Sequence, residues 1–270
     1  VAEQLSRACG GIALAVMASG LCGIPILLFS TSAQRQRWLP DIASGKRLGA
    51  FAITEPNAGS DATATKCSAK LDGDHYVING QKNFCSNGNA ADIYTFFATT
   101  NPNRGARGIS AFVVEKGTPG FTFGKKEHKM GIRASWTYDL VFNNCRIPKE
   151  NLLYKEGYGL FVAQNTFDLS RPGVAAQALG IAQGALDETL AYIRVRKQFG
   201  QAISSFQAIQ HMMADCGTAI EASRALLYAT SKAIAHAVKP AVDAAIEKGT
   251  IVFDEINRLA VKRWTKESGM

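Results

Sequence analysis

Hydroxyl, carboxylate and guanidinium side chains recur in this sequence where the chain has to turn. Thr54 and Ser60 bracket a Pro56/Gly59 turn, which presents hydroxyls and backbone N–H groups to an acceptor-rich ligand such as a phosphate or a pyrimidine-like ring. An ordinary polar hairpin satisfies the same pattern. Phe84 and Ser86 have the same parity on an expected strand, so alternation puts both side chains on one side. Taken alone, such a Phe serves a core as readily as a ligand. Arg196 to Phe199 closes an expected helix, where an arginine is ordinarily solvated. A guanidinium is also the group that meets phosphate oxygens in pairs. Asp168-Leu169-Ser170-Arg171, followed by Pro172, reads as the opening of a long helix, with Asp168 or Ser170 as its cap and Pro172 in its first turn.

Metal chemistry finds no support. Cys9, Cys22, Cys67, Cys85, Cys145 and Cys216 are scattered, with no C-x-x-C and no Cys/His ligand spacing, so free thiols in a reducing compartment are the simple reading. No secretory signal is visible from Val1 onward, and a cytoplasmic location is expected, or the mitochondrial matrix for a eukaryotic protein. The net charge of +8 suits an anionic partner. Nucleic acid is not expected, because Lys and Arg are spread along the chain with no basic stripe interleaved with aromatics.

The elements that must position these residues form an α+β arrangement. A chain of 270 residues holds one large domain or two ordinary ones. Apolar residues make up 47% without a run of 18 or more, so no membrane insertion is expected. Residues 1–47 read as the end of a helical domain, in which residues 1 to about 29 form a helix with Leu5, Cys9, Ile12 and Val16 on one face. Pro25 and the polar run Ser30 to Arg37 close that helix, and Trp38-Leu39-Pro40 starts a connector. Residues 48–150 turn to short stretches of Val, Ile, Thr, Phe and Tyr between turn residues: Tyr76 to Asn79, Ile93 to Thr99, Ile109 to Glu115 and Thr137 to Phe142. That is an antiparallel, barrel-like β-domain. Residues 151–270 form the third region, in which helical period returns from about Leu160. Val174, Leu179, Ile181, Leu186, Leu190 and Ile193 trace one long helix, and Ile209 to Ile234 a second, joined by a turn at Phe199-Gly200 as an antiparallel pair. Two shorter helical patterns follow Pro240. No βαβ alternation and no G-x-G-x-x-G occur, so a Rossmann site is not supported.

The segment Phe51-Ala52-Ile53-Thr54-Glu55-Pro56-Asn57-Ala58-Gly59-Ser60-Asp61 resembles the flavin-binding signature of the acyl-CoA dehydrogenase family. Four further segments match that family in order: Asn79 to Gly88, Lys129 to Ser135, Arg171 to Gln177, and Arg196 to Gly200. The resemblance implies FAD as cofactor. It places Phe51, Ile53, Thr54, Gly59, Ser60, Phe84, Cys85 and Ser86 around the flavin, with Phe84 against the isoalloxazine and Ser86 near N5. It also implies that Arg196, Gln198, Phe199 and Gln207 reach a partner subunit's FAD, and that Ser60, Phe167, Asp168, Ser170 and Arg171 line the CoA and thioester side. Many members carry Trp and Thr where this chain has Phe84 and Ser86, a conservative departure.

The implied reaction is α,β-desaturation of an acyl-CoA, in which a carboxylate takes the α-proton and flavin N5 the β-hydride. An acyl-CoA oxidase, an enoyl-CoA reductase and a non-catalytic flavin or acyl-CoA binder share the resemblance. The expected partners are the acyl-CoA, an electron-transfer flavoprotein or similar acceptor, and further copies of the chain in a homotetramer. Some members place the base immediately before the Arg matching Arg171, where this chain has Ser170, and others use a C-terminal Glu in an E-G-T-like motif that is absent here. The resemblance therefore implies a base beyond Met270, a chain lacking most of the N-terminal helical domain and the last helices, and an insertion near 238–266.

Overall fold

The computed structural model describes residues 1–247. Helix α1 spans Ala2–Phe29 and helix α2 Ser32–Ala43. An eight-stranded sheet follows, ordered β6-β7-β3-β2-β4-β5-β8 with β1 alongside β4. Its strands are β1 Gly49–Ala52, β2 Ser68–Asp72, β3 His75–Ser86, β4 Ile93–Thr99, β5 Ile109–Glu115, β6 Phe121–Lys126, β7 Thr137–Pro148 and β8 Leu152–Leu153. Helix α3 covers Gly159–Val195 and α4 Gln207–Glu247, joined by the short strands β9 Lys197–Gln198 and β10 Gln201–Ala202. The patterns expected from 248 onward, and that part of the insertion near 238–266, lie outside the described residues.

The buried face of α1 is not the one its large side chains mark. Ser6, Gly11, Ala13, Ala18, Cys22 and Ile26 are buried, whereas Ile12 and Val16 are 56% and 55% exposed. The reason is backbone proximity: α1 lies so close to α3 that only small residues fit between them. A Cβ added at Gly180 on α3 would lie 2.2 Å from the Glu3 carbonyl oxygen. Gly180→Ala should therefore destabilise the protein by about 1–2 kcal/mol, because overpacking costs about 1–3 kcal/mol and exceeds the alanine propensity gain of at most about 1 kcal/mol. An urea midpoint equal to or above that of the unsubstituted protein would contradict this contact. By length and composition α1 could cross a bilayer, yet it packs on α3, β1 and β4.

Helix α1 ends at Phe29, as expected, with Pro25 inside its last turns and not closing it. The expected connector at 30–40 is instead α2, opened by a capping box in which Gln34 N–H donates to Thr31 Oγ1 and Thr31 N–H to Gln34 Oε1. Pro40 sits inside α2. Trp38 is fully buried, and its Nε1 donates to Glu115 Oε1 at 3.0 Å. Burial raises the Glu115 pKa, but hydrogen bonds from Trp38 and Arg47 and the charge of Arg37 outweigh it and hold the carboxyl below its ordinary value.

Strands β4 and β5 are buried on both faces, as their continuous apolar runs require. Tyr94, Phe96, Phe112 and Val114 join a core with Phe121 and Phe142 inside the sheet. Ile93, Phe97, Ala111 and Val113 join a second core with Cys22, Ile26, Trp38 and Val162 from the helices. The sheet is mostly antiparallel, but β4 pairs in parallel with β1 and, at one position, with β2. Strand β3 runs through Gly80 to Ser86 instead of stopping at Asn79.

Helix α3 begins at Gly159 after Tyr158, nine residues before the expected cap. Asp168 and Ser170 therefore cap nothing. The Ser170 hydroxyl donates back to the Phe167 carbonyl, and Pro172 lies inside the helix, where it removes the bond its nitrogen would give to the Asp168 carbonyl. Helix α4 likewise continues past Pro240 to Glu247.

Candidate functional site

The signature segment is bound to the end of β3. Asn83 N–H donates to the Thr54 carbonyl at 2.8 Å, and the Cys85 thiol lies 3.6 Å from the Phe51 carbonyl oxygen. Between these contacts sits an ion pair that neither motif displays. Lys82 is fully buried, and its Nζ donates to Glu55 Oε1 at 2.6 Å and to the Ile53 carbonyl at 3.2 Å. Glu55 also accepts from the backbone N–H groups of Lys66, at 2.8 Å, and Cys67, at 3.1 Å. Three donor groups thus converge on the Glu55 carboxylate, one of them also reaching the Ile53 carbonyl, and they fix the tight turn closed by the paired backbones of Glu55 and Ala58. The turn lies between β1 and the 3-10 turn Ala62–Ala64, not between two strands.

Phe84 does not follow strand alternation. Lys82 pairs with Leu140 and Cys85 with Tyr138, so β3 carries one residue more than β7 across this interval. That is a β-bulge, and Phe84 takes it up at φ 56°. Strand parity does not carry through such a residue, but Phe84 and Ser86 both keep exposure on either side of the buried Cys85. Phe84 is 62% exposed, Ser86 is half-buried, and Cys85 between them is buried. Burial, with some contribution from Cys22, raises the Cys85 thiol far above its ordinary range, so it stays protonated. Asn87, also at positive φ, anchors the end of the strand by donating to the carbonyls of Ala15 at 2.8 Å and Gly49 at 3.2 Å.

Phe51 carries the connection to α3. Its ring meets Phe97 at 5.2 Å and Phe167 at 5.7 Å, both edge-on, and Ile53 and Leu169 pack on the same core. Asp168 and Arg171 follow in an exposed ion pair of 3.2 Å. The structure therefore brings together Phe51, Ile53, Thr54, Phe84, Cys85, Ser86 and Phe167. Gly59 and Ser60 lie exposed just past the turn. Among the described residues, the hydroxyls of Thr54, Ser60 and Ser86 make no hydrogen bond within the chain.

The other expected group lies elsewhere. Arg196 follows the last residue of α3, 29 residues beyond Phe167, which places it about 40 Å away along the helix at 1.5 Å per residue. Phe199 at φ 52° and Gly200 at φ 81° form the two-residue turn of a small hairpin, with both central residues at positive φ as a type I′ turn requires. Phe199 is 85% exposed, in a conformation that strains an aromatic residue, and Gln198 and Gln207 are exposed beside it. No group of His, Cys, Asp and Glu suited to a metal ion occurs among the described residues.

Comparison with known proteins gives this geometry a context. Three family models match in sequence: acyl-CoA dehydrogenase N-terminal domain at residues 1–46, middle domain at 50–145 and C-terminal domain at 157–262. A short-chain-specific acyl-CoA dehydrogenase of Clostridium acetobutylicum is 47% identical over 248 residues, which are 91% of this chain and 65% of that protein. This chain thus spans just under two thirds of that relative's length. The structure of butyryl-CoA dehydrogenase from Megasphaera elsdenii superposes with a TM-score of 0.83 at 42% identity, covering 98% of this chain and 68% of the other. An acyl-CoA dehydrogenase complexed with FAD from Bacillus anthracis gives a TM-score of 0.88 at 34% identity, over 96% of this chain and 45% of that one. With all three domain models matched in order and the fold shared at this level of identity, the chain belongs to the acyl-CoA dehydrogenase family.

Proposed function

We propose that this chain serves in a FAD-dependent enzyme that desaturates an acyl-CoA thioester between its α and β carbons. The observation that carries the reading is the docking of the signature segment on the bulged end of β3, beside Phe167 of α3. The residues fit a flavin: the bulge turns an aromatic ring outward, and the hydroxyls of Thr54, Ser60 and Ser86 have hydrogen-bonding capacity left over. When bound, FAD supplies the acceptor for the hydride leaving the β-carbon. Phe84 offers a ring face, Thr54 and Ser86 offer donors to ring acceptors, and the buried ion pair holds both segments in register. Ser60, Asp168, Ser170 and Arg171 take the thioester and CoA side. Asp168 is exposed and already paired with Arg171, so it lacks the burial that tunes a carboxylate as a base.

Arg196, Gln198, Phe199 and Gln207 act in trans, on the FAD of a second copy, which makes the working unit an oligomer. Pairs of dimers and delivery of electrons to an electron-transfer flavoprotein or similar acceptor complete the reading. Its test is anaerobic mixing of the FAD-loaded enzyme that contains this chain, base included, with straight and branched short acyl-CoAs. Loss of oxidised-flavin absorbance with formation of the enoyl-CoA is expected, and unchanged absorbance with every acyl-CoA would overturn it. In the same assay Ser86→Ala should slow flavin reduction about two- to tenfold, the equivalent of one ordinary hydrogen bond of about 0.5–1.5 kcal/mol. An unchanged rate at saturating substrate would place Ser86 away from the reacting atoms.

A further inference from the structure

We propose that the Lys129 ammonium is held beside the flavin site to stabilise the negative charge that the flavin gains on reduction. The inference rests on the flavin reading above and adds to it a residue that sets how readily the flavin is reduced. Lys129 Nζ donates to Thr137 Oγ1 at 2.8 Å and to the Ser135 carbonyl. Thr137 pairs with Ser86 across β3 and β7, so their side chains share one face, with Cβ atoms about 4.5–5.5 Å apart. One threonine hydroxyl therefore stands between the ammonium and Ser86. The surroundings are fixed. Glu127 N–H donates to the Thr137 carbonyl at 2.9 Å, and Asn87 N–H to the Trp136 carbonyl at 2.8 Å. A Cβ added at Gly11 of α1 would lie 2.9 Å from the Ala134 Cβ, so the loop is wedged against that helix.

Among the described residues the charge of Lys129 has no counterion. Lys129 is half-buried and forms no ion pair with any of them. By contrast the fully buried Lys82 is paired with Glu55, and the half-buried Arg47 with Glu115. An ammonium carries three donors, and Lys129 commits two of them to uncharged oxygens. Burial, with a further contribution from Lys126, lowers its pKa, so the fold holds this cation at a cost that a neighbouring anion would offset. Hydride transfer supplies such an anion. A hydride brings two electrons and one proton, so the flavin gains one negative charge until a second proton follows. At an effective dielectric constant of about 20, a cation within about 10 Å still favours that state by more than the thermal energy.

The test is a redox titration of bound FAD, followed by its absorbance, in the FAD-loaded enzyme that contains this chain. Lys129→Met removes the charge and the hydrogen bonds, Lys129→Gln keeps hydrogen-bonding groups without the charge, and Lys129→Arg keeps the charge. Met and Gln should each lower the midpoint potential by about 30 mV or more, the equivalent of about tenfold or more in the ratio of reduced to oxidised flavin for a two-electron couple. Arg should stay near the parent value. The flavin-free Lys129→Gln protein should bind oxidised FAD as tightly as the parent, since the charge acts on the reduced state. A parent-like potential in both Met and Gln would overturn the inference and leave the flavin reading standing. A shift in Met alone would overturn it too, because the hydrogen bonds of the loop and not the charge would then be responsible. If the parent retains no FAD, the flavin reading falls and this inference with it. Thermal midpoints of the flavin-free variants identify a folding defect, and if Lys129→Met has one, the comparison of Gln with Arg decides.

Discussion

Lys82→Met and Glu55→Gln, made singly, should each cost about 3–5 kcal/mol of folding stability, since each leaves the partner charge buried without its counterion. For a chain of this size that is a fall in Tm on the order of 10 °C. The geometry argues for the upper part of the range. Lys82 is fully buried, Glu55 nearly so, and the carboxylate also receives two backbone N–H groups, so neither group can turn to water. The double variant Glu55→Leu/Lys82→Met should recover much of the loss, because replacing both charges by apolar groups of similar size is often close to neutral. FAD retention should not recover in parallel, since the turn bearing Thr54 and Ser60 then lacks the contacts that hold it to β3. Singles that lose less than about 1 kcal/mol would show the pair to be solvated in solution.

Arg196→Ala should weaken FAD binding about tenfold or more, as expected for a charge-assisted phosphate contact of about 1.5–3 kcal/mol, and Lys should rescue only part of it. The distinguishing experiment uses hybrids. Subunits carrying Arg196→Ala are mixed with subunits carrying Thr54→Ala/Ser60→Ala, and the FAD held by isolated hybrid dimers is counted. If Arg196 works in trans, one site of the hybrid carries both defects and the other none, so about half of the FAD stays tightly bound. If Arg196 serves its own subunit, each site carries a defect and no tight site survives. The roughly 40 Å of helix between Phe167 and Arg196 favours the first outcome.

Much of the fold was legible in the sequence for identifiable reasons. Strands β4 and β5 read to the residue because apolar runs ended at Asn101-Pro102 and Gly117. The α+β order followed from the change of hydrophobic period along the chain, and the family from five segments that match it in order. What stayed hidden depended on contacts between distant parts of the chain. The buried side of α1 is set by its closeness to α3, so Gly11 and Ala13 go inside and Ile12 outside, against the hydrophobic pattern. Helix α2 was masked by its polar residues and Pro40, although Thr31 and Gln34 spelled out its start. Asp168-Leu169-Ser170-Arg171-Pro172 imitates a helix opening well enough to be read as one, although the helical period sets in at about Leu160, where α3 in fact begins.

The candidate site was read in pieces. Motif residues could be named, but the bulge that turns Phe84 outward leaves no mark in a strand pattern, since its cause is the register with β7. Lys82 and Glu55 both stood inside quoted motifs, and only the folded chain shows that they answer one another.

Helix α3 is 37 residues long, a rod of about 55 Å, with Phe167 near one end and the Phe199 hairpin at the other. A rigid element of that length fixes which parts of one molecule can never meet. If a flavin needs groups from both ends, no single copy can hold it tightly, and occupancy becomes a bimolecular quantity. Flavin content would then rise with total protein and fall on dilution, following the dimer dissociation curve. Cofactor loading would serve as a gauge of assembly, and a cell producing too little of the chain would accumulate colourless subunits instead of slow enzyme.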